Sequence, residues 1–322
     1  MALTWCLGHG TGNIVTGECD FMITRPARVN IGRFLLTISV FCGLGIAQSS
    51  IASIDLTQAN GETLTLPGPA SSIVTLAPNL AELVFAAGAG ESLKAVVEYS
   101  NFPEQVAQIP RVGDAFRSDL ERIIERKPDL VIAWKSGNPQ TALQKLIQMG
   151  ISVWQVEITR PQEIAEVVED ISRAAGTQHI GQAVALNLRN RLDLLKRQNT
   201  DKTPLSFFYQ VAPRPLYTIN NQHIISRSLA ICGGYNIFSD LSALATQISR
   251  EAVIISDPQV MIAPETEGDP PALIAWKEWP QLQAVQNDNM LYLPADEISQ
   301  AVSNEASGVK GGKFSPSARF RN

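Results

Sequence analysis

The sequence predicts an α/β fold: two lobes with mostly parallel sheets, joined by one long helix. Three observations predict it. A fourteen-residue pattern occurs twice, at residues 121–134 (ERIIERKPDLVIAW) and 251–264 (EAVIISDPQVMIAP), with a constant offset of 130 (251 − 121 = 130). Each copy reads as a short helix, a proline break and a buried apolar strand. Short apolar strands elsewhere alternate with helical segments across short loops, the pattern of an open parallel sheet. One long amphipathic stretch, 179–198, interrupts that alternation. The 322 residues suffice for two domains of ordinary size.

The elements follow in order. Residues 54–66 alternate apolar and polar positions around Asn60-Gly61, a hairpin signal. Residues 73–76 form a strand, and Pro78-Asn79 opens a helix through Leu80, Leu83, Val84 and Ala87 that stops at Gly88 and Gly90. Residues 93–97 are the next strand. The first copy of the repeat supplies a helix at 120–126 and a strand at 130–133. A helix at 141–149, stopped by Gly150, leads to a strand at 153–156. Residues 161–175 are helical, Gly176 breaks them, and 179–198 carry Leu186, Leu188, Leu192 and Leu195 on one side and Arg189, Arg191, Lys196 and Arg197 on others. After Pro204 the alternation resumes: strand 205–211, helix 226–232, helix 251–255, strand 260–262, helix 273–278 and strand 290–293. Residues 303–322 are rich in Gly, Ser and basic residues, without a helical stripe. The organisation is therefore 1–52 as extension and signal peptide, 53–160 and 204–302 as lobes, 161–203 as helical linker and 303–322 as irregular tail.

The first segment reads as an export signal. Arg25, Arg28 and Arg33 precede an apolar stretch at 34–47, and small residues follow, with cleavage expected between Ala47 and Ser53. The apolar run is shorter than the roughly 20 residues a spanning helix needs. Met22 stands where such a peptide begins, and 1–21 read as an upstream extension. Cys6, Cys19 and Cys42 precede the cleavage region, so Cys232 alone stays in the mature chain and no internal disulfide is expected. Cys232 reads as a buried helix-end residue before Gly233-Gly234. The net charge of −5, with no basic run, argues against a nucleic-acid partner. A G-x-S-x-G elbow, a phosphate loop, a dinucleotide fingerprint and a His-rich metal motif are all missing, so neither an enzyme nor a metal carrier is expected.

The segments SIVTLAPNLAELVFAAGAG, VEYSNFP, VGDAF, DLERIIERKPDLVIAWKSGN, ICGGYNIF and ISREAVIISDPQVMIAP together resemble the periplasmic substrate-binding proteins of ABC importers built on a rigid backbone helix, the class III architecture. The likeness covers about residues 54–301 and is strongest to members that bind vitamin B12 (cobalamin). It implies a monomer in the periplasm, with a ligand held between two lobes and handed to an inner-membrane permease dimer. In such proteins one surface glutamate on each lobe docks on the permease subunits, and Glu121 and Glu251 hold those positions. Each also falls in the first turn of its helix, where the helix dipole favours a carboxylate without any partner.

A corrin is a broad, largely apolar macrocycle fringed with amides, suited to flat aromatic faces with a few polar groups. Tyr99 follows the second strand of the first lobe, on the edge where α/β sheets bind ligands, and Phe116, after Gly113, and Trp134, at the end of the repeated strand, occupy the matching edge. Tyr209 and Tyr217 lie on and after the first strand of the second lobe. By resemblance, Asp296 accepts hydrogen bonds from corrin amides. The resemblance also shows departures: Ala245-Thr246 replace a tryptophan usual before the SRE segment, Phe116 replaces another, and the family's C-terminal cysteine has no counterpart. Two other ligands remain open on the same scaffold. A ferric siderophore would find cations in Arg117, Lys135 and Arg214. Haem would find iron ligands among Tyr99, Tyr217, His179 and His223.

Overall fold

The computed structural model describes residues 53–265 and 272–294. The expected signal peptide, the tail at 303–322 and Asp296 lie outside the described residues.

The chain opens with an antiparallel hairpin of β1 (Ile54–Thr57) and β2 (Thr63–Leu66), Ile54 opposite Leu66. The first parallel sheet contains β3 (Ile73–Thr75), β4 (Leu93–Ala95), β5 (Leu130–Trp134) and β6 (Val153–Val156) in the order β4-β3-β5-β6. Helices α1 (Pro78–Ala86), α2 (Leu120–Glu125) and α3 (Gln140–Gln148) connect its strands. Along β5 the side chains alternate between two cores. Leu130 and Ile132 join Ile73, Leu80 and Trp154, while Val131 and Ala133 join Val74, Ile123 and Leu143. A parallel sheet covered on both faces needs such an apolar run, and the sequence provides it. The buried Trp154 indole donates to the Thr57 carbonyl at 2.9 Å and ties the hairpin to the sheet.

Next come α4 (Pro161–Ala175) and α5 (Gln178–Asn199). The latter has 22 residues, about 33 Å at the usual rise. Its buried stripe is Gly181, Ala185, Leu192, Leu195 and Asn199. A Cβ at Gly181 would come within 2.3 Å of the Ser172 side chain, so the close crossing of the two helices needs a glycine there. Arg189 donates twice to Glu169 of α4, both at 2.6 Å. Leu186 corrects the expected stripe: it is 58% exposed, because it follows Ala185 by one residue and is turned about 100° from the buried line.

The second lobe contains β7 (Leu205–Tyr209), β8 (Ala212–Pro213), β9 (Leu216–Ile219), α6 (Ile224–Ile231), β10 (Gly234–Asn236), β11 (Ala245–Gln247), α7 (Arg250–Ser256), β12 (Val260–Glu265), α8 (Gln283–Gln286) and β13 (Met290–Pro294). Its parallel sheet has the order β10-β7-β12-β13. Strand for strand this repeats the first sheet: the second strand outside the first, the third and fourth on the other side. A separate antiparallel sheet, β11-β9-β8, was not expected. The expected helix at 273–278 is a short 3-10 segment, Ile274–Glu278. Cys232 caps α6 and is half-buried, where burial was expected.

The repeat holds at atomic detail. Asp119 and Ser249 cap α2 and α7, each side chain accepting from the N–H three residues on, at 3.2 Å. Lys127 and Asp257, both before a proline, sit in the left-handed region at φ 45° and 40°. Asp129 then accepts from the N–H groups of Ser71 and Ser72 ahead of β3, at 2.8 and 2.9 Å. Gln259, at the matching position, accepts from the N–H of Ser206 in β7 at 3.0 Å. Leu130 lies opposite Ile73, and Val260 opposite Phe207.

Candidate ligand-binding site and docking carboxylates

Three aromatic residues stand at the carboxyl edge of the first sheet. Beyond β4 the chain reaches Tyr99 at φ 65°, and the side chain is 80% exposed. The Glu98 N–H donates to the Gly113 carbonyl at 2.8 Å, joining this segment to the loop that carries Phe116. That loop is a tight turn. Gly113 has φ 90°, and a Cβ there would lie 2.3 Å from the Arg117 carbonyl oxygen, so the turn requires glycine. The Asp114 carboxylate accepts from the N–H groups of Phe116 and Arg117, both at 2.7 Å. Phe116, at the tip, is 75% exposed. Trp134 ends β5 half-buried, its indole N–H donating to Ser136 Oγ at 3.0 Å.

Asn138 organises this edge and was missed by sequence reasoning. It is buried, its Oδ1 accepts from the Trp134 N–H at 2.6 Å, and its Nδ2 donates to the carbonyls of Leu76 at 2.8 Å and Ala115 at 2.9 Å. One side chain thus holds the loops after β3 and β5 and the loop carrying Phe116. The Ser-Gly-Asn-Pro run signals a turn at 136–139, but nothing local names partners 62 and 23 residues away.

In the second lobe, Tyr217 is half-buried on β9 between Ala212 of β8 and Gln247 of β11. Tyr209 corrects the expected aromatic set. It is 3% exposed and packs among Phe207, Ile219, Val260, Ile262 and Leu293, and burial pushes its phenol above the ordinary value. By register it matches Thr75 of the first sheet, which is also buried. Its ring is core as placed. The next residue, Gln210, is buried too; its Oε1 accepts from the Trp276 indole and its Nε2 donates to the Ala272 carbonyl, each at 2.8 Å. Of the cations considered, Arg117 and Arg214 are exposed, while Lys135 donates to the Ala59 carbonyl at 3.0 Å. The His223 Nδ1 accepts from the Ile225 N–H at 3.2 Å and caps α6; burial lowers its pKa.

Glu121 and Glu251 are both exposed, at the second position of α2 and α7. Asp119 and Ser249 already cap those helices, so neither glutamate is needed as a cap. The Glu251 carboxyl is held below its ordinary value by its own backbone N–H and by the Ser249 side chain.

Residues 73–297 match the family described as periplasmic binding protein. The chain belongs to that family. A vitamin B12-binding protein of Vibrio cholerae is 36% identical over 251 residues, 77% of this chain and 89% of that protein. One from Vibrio campbellii is 35% identical over 243 residues, 75% of this chain and 88% of that protein. The crystal structure of the periplasmic vitamin B12 binding protein of Vibrio cholerae superposes with a TM-score of 0.65 at 35% identity, covering 74% of this chain and 97% of that one. A periplasmic haem-binding protein of Vibrio cholerae shares the periplasmic binding protein fold, with a TM-score of 0.63 at 22% identity over 73% of this chain and 96% of that one.

Proposed function

We propose that this chain is the periplasmic component of an ABC importer, binding a corrinoid, vitamin B12, between its two lobes and delivering it to the permease. The observation that carries the reading is the aromatic edge of the first lobe: Tyr99 and Phe116 lie 80% and 75% exposed on loops fixed by internal hydrogen bonds. Large apolar faces left open on a preorganised edge suit a broad apolar macrocycle. The likeness to vitamin B12-binding proteins over three quarters of the chain supports the same ligand. Trp134 extends the platform, Tyr217 is the contact from the second lobe, and Asp296 accepts from corrin amides. Residues 53–160 and 204–302 act as the lobes, and 161–203 as the linker.

The exported chain begins between Ala47 and Ser53 and works as a monomer. Glu121 and Glu251 face the permease dimer, one on each lobe. The exposed Arg117 and Arg214 favour a second reading, an anionic ferric chelate or haem on the same scaffold. Calorimetric titration separates the two. The corrinoid reading expects one cyanocobalamin per chain and little heat with haemin or a ferric siderophore; the reverse pattern replaces it.

A further inference from the structure

Trp134 does not stand alone at the end of β5. Ser136, two residues on, accepts from its indole N–H at 3.0 Å. Glu157, just beyond the neighbouring β6, accepts from Ser136 twice: from the hydroxyl at 3.0 Å and from the backbone N–H at 2.9 Å. A serine hydroxyl has one proton to give. That proton goes to the carboxylate, so an oxygen lone pair is left for the indole. The order indole, hydroxyl, carboxylate therefore has one chemical direction, and its end is a charge-assisted acceptor.

We propose that Glu157, acting through Ser136, is a positioning residue that sets the plane of the Trp134 indole before a ligand arrives. The proposal rests on the reading of Trp134 as a ligand-facing residue. The backbone of this turn is held by other bonds. Asn138 accepts from the Trp134 N–H at 2.6 Å, the Lys135 N–H donates to the Val156 carbonyl at 3.0 Å, and Gln140 donates to the Lys135 carbonyl at 2.9 Å. Beside its own bond to the Ser136 N–H, what Glu157 adds is control of the side chain. Gly137 leaves room for the ring, since a Cβ there would lie 3.0 Å from Trp134 Cδ1. An aromatic face ordered in the free protein spares the ligand the cost of ordering it.

The test uses the mature chain with Glu157→Ala, Ser136→Ala, Trp134→Ala and the double variant Glu157→Ala/Trp134→Ala. In ligand-free protein, NMR follows the Trp134 indole N–H, assigned by its disappearance in Trp134→Ala. Its exchange with solvent should speed up in Glu157→Ala and in Ser136→Ala, with circular dichroism unchanged. Cyanocobalamin affinity should fall about fivefold in each, the cost of re-ordering one aromatic side chain. In the Trp134→Ala background, Glu157→Ala should cost nothing further. Unchanged indole exchange in either single variant, or a full additional loss in the double variant, overturns the proposal. Should Glu157→Ala not fold, Ser136→Ala carries the same test. If the wild type binds no cobalamin, the proposed ligand fails, while the exchange measurement still decides the relay.

Discussion

The two copies of the helix–proline–strand repeat share a scaffold and differ at their ends. Both begin with a capped helix bearing an exposed glutamate at its second position, and both turn through a left-handed residue before proline. Both lock the following strand to the first strand of their sheet through one side-chain acceptor, Asp129 or Gln259. They part where the strands finish. The first copy ends in Trp134 and runs into a turn held by Asn138, Ser136 and Glu157; the second ends in Pro264-Glu265. The exposed faces of the two helices differ as well: Glu125 in one stands where Ile255, 84% exposed, stands in the other. The repeat thus supplies architecture and paired carboxylates, and on the proposed function ligand chemistry is added to one copy at the strand end.

The largest effect should come from removing what the first copy adds. Asn138→Ala leaves the Trp134 N–H and two carbonyls without their partner, and each buried orphan costs about 1–3 kcal/mol. Denaturant unfolding should show a loss of about 3 kcal/mol, relief coming from any water that enters. If the loss is within experimental error, the edge is held by the backbone alone. Next is Trp134→Ala against Pro264→Ala. The first should weaken cobalamin binding by about 2 kcal/mol, roughly 30-fold, as expected for a half-buried aromatic contact. The second should leave affinity near wild type, and equal losses would erase the contrast between the copies.

Removing what the copies share should act on delivery. Glu121→Ala and Glu251→Ala should each bind cobalamin as wild type does and each reduce uptake several-fold in cells carrying the matching permease, since charges of this kind steer encounter and register. Wild-type uptake by the double variant would remove the docking role. The smallest effect separates Asp129 from Gln259. Burial raises the Asp129 pKa, but hydrogen bonds from Ser71 and Ser72 outweigh it and hold it below the ordinary value. A lowered folded pKa means stabilisation that is fully present above the ordinary aspartate value and lost as pH falls on through the lower, folded one. Asp129→Asn should therefore cost about 1 kcal/mol at pH 7, discounted for exposure, and less at a pH below the folded value. Gln259→Ala should cost a similar amount at both pH values, because an amide does not titrate there.

Much of the scaffold was legible because it rests on local rules. Proline breaks, glycine stops and runs of apolar residues placed both copies of the repeat, the strands of both parallel sheets except the three-residue β10, and the long α5. The misreadings share one cause: periodicity reports a face, and only tertiary packing decides what covers it. Leu186 fits a leucine stripe with Leu192 and Leu195, yet the buried line that holds those two runs through Ala185 and Gly181, where a Cβ at Gly181 would meet Ser172 of α4. Tyr209 looked like a ligand contact at a strand end, but its register puts it inside the second lobe. Ala212–Pro213 and Ala245–Gln247 are too short for their alternation to show, so the antiparallel sheet holding Tyr217 stayed hidden. Asn138 and Glu157 act through partners distant in sequence, which no local pattern encodes.

On the proposed function, the exposed aromatic edge of the first lobe receives a corrinoid while the paired glutamates remain outside the ligand site. A crystal structure of the mature chain with cyanocobalamin tests it most directly. One ligand should lie with a corrin face against Tyr99, Phe116 and Trp134, Tyr217 reaching it from the second lobe, and Glu121 and Glu251 making no contact with it. A corrinoid bound elsewhere, or touching either glutamate, would contradict it.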